Sequence, residues 1–239
     1  VLLLGLFYAV ILLALRNEQD ELVGALLAVS LYFWEAGLPF LILIAWRCYR
    51  QRRTRVLAGF GMLTFILLAV SFLIYANWFI PYLRAGANAL RTEFGFSIIS
   101  VLGQLVPSYG TYLAWGLIAL LVIVLGYEWT SALEGDDRRF YWAACLSIAV
   151  APLLGFRTEY ENLAVLVIPL ALVFAIIHDR WSRIGAVLAF LLLLAVFLIP
   201  WALYFFAFPV IETISQEILF LFLPVFTFLG LYWIRWWAI

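Results

Sequence analysis

The 239 residues are 68% hydrophobic and 12% charged, with a mean hydropathy of +1.12. A soluble domain is roughly half apolar and a quarter charged, so this much apolar surface excludes a single soluble core. Net charge is zero, which argues against a nucleic-acid partner, and a single histidine excludes bis-His haem, di-iron histidine boxes and the zinc-protease motif.

The apolar runs are long and lack period-two alternation, so they predict helices, not a β-barrel. The expected fold is all-α, a polytopic transmembrane helical bundle. One integral membrane domain covers 1–239, with about 7–8 membrane helices. Phe, Trp and Tyr make up 18% of the chain, which suits aromatic belts at lipid–water boundaries. Cys48 and Cys145 match no metal or disulfide spacing and read as free thiols. No cofactor or metal is expected. The chain starts at Val1 inside an apolar run, so an N-terminal portion is expected to be missing or processed.

In chain order, 1–15 reads as a helix closed by the polar stretch 16–21, whose Asp20 and Glu21 suit a helix start. Residues 22–34 and 40–46 are each shorter than the roughly 20 residues of a full span. They form either one kinked span or two short helices meeting in a turn near Glu35, and the turn places Glu35, Gly37 and Pro39 outside mid-membrane. Arg47, Arg50, Arg52, Arg53 and Arg55 form the densest basic cluster, expected on the cytoplasmic side.

Residues 56–75 cross outward. Within 76–107, Pro81 opens an expected interfacial helix near 81–93, with Arg84, Asn88 and Arg91 on one face and Leu83, Ala87, Leu90 and Phe94 beside it. A stretch over 96–106 dips back. Residues 111–129 cross inward, 134–139 form a cytoplasmic loop, 141–154 cross outward and 163–177 return. A loop at 178–183 holds His178, read as a boundary residue. Residues 184–208 then cross outward, 209–217 lie outside and 218–234 return to Arg235. On this topology eleven arginines lie inside and three outside.

Between the uncharged runs 143–154 and 163–177 lies an ionic island, Gly155-Phe156-Arg157-Thr158-Glu159-Tyr160-Glu161-Asn162. Three ionisable groups so close together belong at an interface or a wet cavity, because lipid burial is too costly. Arg157 and Glu161 are spaced to pair on a helix surface. Alternatively, Arg157 faces a phosphate and a carboxylate faces an acceptor hydroxyl. The outer set is Glu35, Arg84, Arg91, Glu93, Arg157, Glu159, Glu161, Glu212 and Glu217. Glu35 reads as a helix-turn cap or a site residue, and Glu212 and Glu217 as loop polarity or part of the site. Catalytic candidates are Glu35, Glu159 and Glu161. Candidates for donor-phosphate or substrate binding are Arg84, Arg91, Arg157, Tyr160 and Asn162.

The order of these features resembles the GT-C glycosyltransferases, in particular the mannosyltransferase-like family 87. Short helices meet at an outer turn. An Arg-rich loop then runs into a Gly-containing helix, Arg47-Cys-Tyr-Arg-Gln-Arg-Arg-Thr-Arg-Val-Leu-Ala-Gly-Phe-Gly61. Asn77-Trp78-Phe79-Ile80-Pro81-Tyr82-Leu83 and the Ala-Pro-Leu-Leu stretch at 151–154 follow. At the first turn, where relatives often carry Lys before Pro, the chain reads Trp34-Glu35-Ala36-Gly37-Leu38-Pro39. The resemblance implies the C-terminal part of such an enzyme, with the family's catalytic acid upstream of Val1. It implies a GT-C bundle in a bacterial cytoplasmic membrane, a polyprenyl-phosphate sugar donor, a lipid or glycan acceptor outside the cytoplasm, and inverting transfer without a nucleotide sugar. Membrane lipids are expected partners. Two other readings stand beside it. One is a non-catalytic subunit of a larger membrane protein complex, and the other is a lipid-linked glycan polymerase or flippase.

Overall fold

The computed structural model describes residues 2–84, 97–106, 108–155, 160–207 and 212–239. Every element among them is helical. They are α1 (Leu2–Arg16), α2 (Asp20–Ser30), a 3-10 turn (Leu31–Phe33), α3 (Trp34–Arg50), α4 (Thr54–Ile74), α5 (Ile98–Leu105), α6 (Gly110–Glu134), α7 (Asp137–Val150), two 3-10 segments (Ala151–Leu154 and Tyr160–Leu166), α8 (Val167–Ala207) and α9 (Glu212–Ala238).

Helix α7 is the centre of the bundle. From Phe140 to Val150 only Tyr141 escapes full burial, and α3, α6, α8 and α9 all pack on it. Its small residues explain the position. Ala143, Ala144, Ser147 and Ala149 let neighbouring backbones come close, which is how helices associate where lipid weakens the hydrophobic drive. The Ser147 hydroxyl is satisfied twice. It donates to the Ala143 carbonyl at 2.7 Å and accepts from the Trp129 indole N–H at 2.8 Å.

Among the described residues four stretches are long and apolar enough to cross a membrane: Thr54–Ile74, Gly110–Glu134, Asn162–Trp181 and Leu221–Ala238. The chain is an integral membrane protein. Large apolar side chains on α4, such as Phe65 and Leu73, are more than 70% exposed, as expected where lipid replaces water. Aromatic clusters mark two levels. Trp78 sits 5.8 Å from Phe72 and 5.6 Å from Tyr82, just past the end of α4. Trp181 sits 5.6 Å from Trp233 and 5.1 Å from Trp237, near the end of α9. Such clusters suit the headgroup levels.

Helical geometry continues through α8 from Val167 to Ala207, yet α8 is not one rod. A Cβ on Gly185 would lie 2.4 Å from the Ile177 carbonyl oxygen. Eight residues of straight helix would separate those groups by about 12 Å, so the chain folds back between them. The apolar stretches Asn162–Trp181 and Ile184–Ala195 lie on either side, and the reversal falls between Ile177 and Gly185. The turn expected over 178–183 is therefore present, but tighter than a loop. It needs Gly185 because any side chain would strike the preceding helix.

The question of one kinked span or two short helices is also decided. Arg53, which follows α3, bonds Asp20 at the start of α2 at 3.1 Å, so α2 and α3 leave and re-enter at one end. They meet at Leu31–Phe33 and at the non-helical Gly37 (φ −161°, ψ 25°). A Cβ on Gly37 would fall 2.1 Å from the Tyr8 hydroxyl, so any side chain there would have to displace the buried Tyr8 ring. Pro39, two residues on, has no N–H and disfavours a helical conformation at Leu38.

Three boundaries differ from the sequence reading. The segment after the island begins as a 3-10 helix, Tyr160–Leu166, and becomes α-helical only at Val167. Pro169 explains the switch, because a residue without an N–H is tolerated in the first α-turn. Helix α9 already includes Glu212, upstream of the expected start at 218. Residues 79–84 are helical, so Pro81 lies within the first turn instead of opening it. The rest of the expected interfacial helix lies outside the described residues.

Candidate functional site

The bundle has two chemically distinct ends. At one end α1 closes at Arg16, α2 opens at Asp20, α3 closes at Arg50 and α7 opens at Asp137. Ion pairs tie these together: Arg47 to Asp137 at 2.5 Å, Arg50 to Glu134 at 3.9 Å and Arg53 to Asp20 at 3.1 Å. The Arg47 guanidinium also lies 3.8 Å over the Phe140 ring. The basic cluster thus fastens helix ends to one another. The two pairs with exposed carboxylates, Arg47–Asp137 and Arg50–Glu134, stabilise by about 0–1 kcal/mol each, so their main consequence is registration of the helix ends.

The opposite end is built by α7 running away from the arginines. It tightens into Ala151–Leu154 and stops at Gly155, whose φ of +81° is left-handed. That conformation favours glycine, and a Cβ there would also lie 3.2 Å from both Ile99 and Ile118. The described chain resumes at Tyr160. Helix α3 packs against both 3-10 segments, and α1 packs against the second. Gly5 of α1 lies beside Ala164 and Val165. Hence the opening of α3, which carries Glu35, and the Tyr160–Asn162 turn share this end.

The sequence candidates distribute as follows. Glu35 opens α3, and Tyr160 and Glu161 open the 3-10 segment. Asn162 is half-buried beside them, and Arg84 is exposed in the short helix after α4. Arg91, Arg157 and Glu159, together with Glu93 of the outer set, lie outside the described residues. Glu212 and Glu217 both lie within α9. Among the described residues no three His, Cys, Asp or Glu side chains converge to hold a metal ion.

One polar group escaped the sequence reading. Glu128 lies inside the apolar stretch 111–129 and is buried, with 6% of its surface exposed. Arg235 of α9 reaches it at 3.1 Å on Oε1 and 3.2 Å on Oε2, and the Tyr232 hydroxyl donates to Oε1 at 3.5 Å. The Arg235 guanidinium lies 5.6 Å from the Trp142 ring, and the Trp142 indole N–H donates to the Leu231 carbonyl at 3.1 Å. Both carboxylate oxygens are therefore occupied. The group clamps α6, α7 and α9 together, and its chemistry is attachment instead of proton transfer. The available signal was a lone acid in an apolar run and a lone arginine in a Trp-rich terminal helix.

Compared with models of known protein families, with curated proteins and with solved structures, the chain matches none.

Proposed function

We propose that the chain belongs to a membrane glycosyltransferase of GT-C type, which moves a sugar from a polyprenyl-phosphate donor to a lipid or glycan acceptor. The reaction is placed at the end opposite the arginine-rich one. The observation that supports this reading is the packing of α3 on Ala151–Leu154 and Tyr160–Leu166, which brings the Glu35 turn and the island to one end of the bundle. On the positive-inside rule that end faces away from the cytoplasm.

The chemistry follows from residue types. The Arg157 guanidinium fork binds the donor phosphate, and Arg84 and Arg91 supply further phosphate contacts. Glu35, Glu159 or Glu161 takes the proton from the acceptor hydroxyl. The acceptor oxygen bonds the anomeric carbon, the bond from that carbon to phosphate oxygen breaks, and polyprenyl phosphate leaves with inversion. Tyr160 and Asn162 hydrogen-bond the sugar.

The test is transfer of radiolabelled sugar from polyprenyl phosphate by membranes with and without the protein. Transfer is expected, and the triple variant Glu35→Gln, Glu159→Gln, Glu161→Gln should lower it by about 100-fold or more. No transfer from any polyprenyl-phosphate sugar, or an unchanged rate in the triple variant, overturns the proposal. Absence of transfer with stoichiometric co-purification of another membrane protein supports the accessory-subunit reading.

A further inference from the structure

At the arginine-rich end a cleft of about 640 Å³ opens between α7, α8 and α9. Its residues come from single helix faces. Arg138, Tyr141 and Trp142 lie at i, i+3 and i+4 on α7. Leu172, Ile176 and Arg180 lie one and two turns apart on α8. Charge therefore sits at the mouth and apolar surface lies deeper, over a depth of about 12 Å between Leu172 and Arg180. Trp237 closes the third side and meets Trp181 edge-to-face at 5.1 Å.

The arginines here differ from their neighbours. Arg47, Arg50, Arg53 and Arg235 each hold a carboxylate. Arg138 and Arg180 are exposed to the cleft and have no ion-pair partner among the described residues. Among the described lining residues the one acid is Asp179, so two arginines face one aspartate.

We infer that this cleft binds the phosphate headgroup of an anionic membrane phospholipid, with an acyl chain laid along Leu172 and Ile176. Two guanidinium forks suit phosphoryl oxygens. Basic pockets between membrane helices at headgroup level have this charge pattern, and Trp and Tyr belong at the same level. A chain entering from the bilayer meets the apolar wall first. The site holds whether or not the opposite end transfers sugar.

The test uses the full chain in mild detergent, titrated with phosphatidylglycerol, phosphatidylcholine or inorganic phosphate, with bound lipid read by native mass spectrometry. The expected result is one tightly held phosphatidylglycerol, preferred over phosphatidylcholine. Arg138→Gln with Arg180→Gln should weaken it at least tenfold. Arg52→Gln with Arg55→Gln, which removes the same charge from exposed positions at the same end, should leave it unchanged. Asp179→Asn should tighten it. The single variants Arg138→Gln and Arg180→Gln carry the test if the double variant does not purify. Equal weakening in the two double variants makes the binding diffuse charge attraction and overturns the site. Inorganic phosphate bound as tightly as the lipid overturns the lipid assignment.

Discussion

Glu128→Ala is expected to lower the unfolding free energy by about 3 kcal/mol, because removing one partner of a buried ion pair leaves the other charge uncompensated. Here the survivor is Arg235, whose side chain is 27% exposed, so some water reaches it and the loss falls at the low end of the range for fully buried pairs. Arg235 would retain only the Trp142 ring at 5.6 Å. Replacing both partners with apolar residues of similar size, Glu128→Leu with Arg235→Met, should recover most of the loss, since neither charge is then left alone. A double-mutant cycle on reversible unfolding in mixed micelles measures the coupling. Additive effects of the two single substitutions would show that the pair does not hold α6 to α9.

The second large effect is expected at the crossing of α2 and α4. A Cβ on Gly24 would lie 2.1 Å from the Val56 carbonyl oxygen, and one on Gly59 would lie 2.6 Å from the Glu21 carbonyl oxygen. The atoms met are backbone, which cannot rotate away, so the helices must separate. Val56 is the sole fully buried residue of α4, which makes this crossing its main attachment to the bundle. Gly24→Ala and Gly59→Ala should each cost about 2–3 kcal/mol, the upper range for overpacking. Gly61 lies two residues further along α4, and a Cβ there meets nothing within 4 Å. Gly61→Ala should be neutral or stabilising, by up to about 1 kcal/mol from helix propensity. Thermal unfolding of the three variants checks this, and an equal loss at Gly61 would remove the crossing from the account.

Hydropathy made the long helices legible. The expected span at 56–75 is Thr54–Ile74, and that at 111–129 is Gly110–Glu134, because charge ends an apolar run in sequence and a span in structure. The Glu35 turn was legible for a similar reason, since Gly37 tolerates non-helical backbone and Pro39 lacks the N–H a helix interior needs. What hydropathy could not show is partnership across the chain. Glu128 and Arg235 are 107 residues apart, and each taken alone looks like an ordinary boundary charge. The Gly24–Gly59 crossing leaves no local motif, because the two glycines lie on different helices. The switch from 3-10 to α at Val167 depends on Pro169, one residue within an otherwise uniform apolar run. The candidate site was legible as a set of polar residues. That the Glu35 turn and the Tyr160–Asn162 segment share one end required the packing of α3 and α1 on Tyr160–Leu166.

The claim on which the proposed function rests is that the island and the arginine cluster lie on opposite sides of the membrane. Single cysteines read by a membrane-impermeant maleimide test it most directly. Background labelling should be low, because Cys48 and Cys145 are 1% and 3% exposed. The Cys48 thiol is also pushed up to about 11, mainly by burial, so at neutral pH little of the reactive thiolate forms. In intact cells the reagent should label Arg157→Cys and spare Arg52→Cys, and in inverted vesicles the pattern should reverse. Labelling of both positions from the same side would contradict the two-ended bundle and remove the basis for sugar transfer at the island.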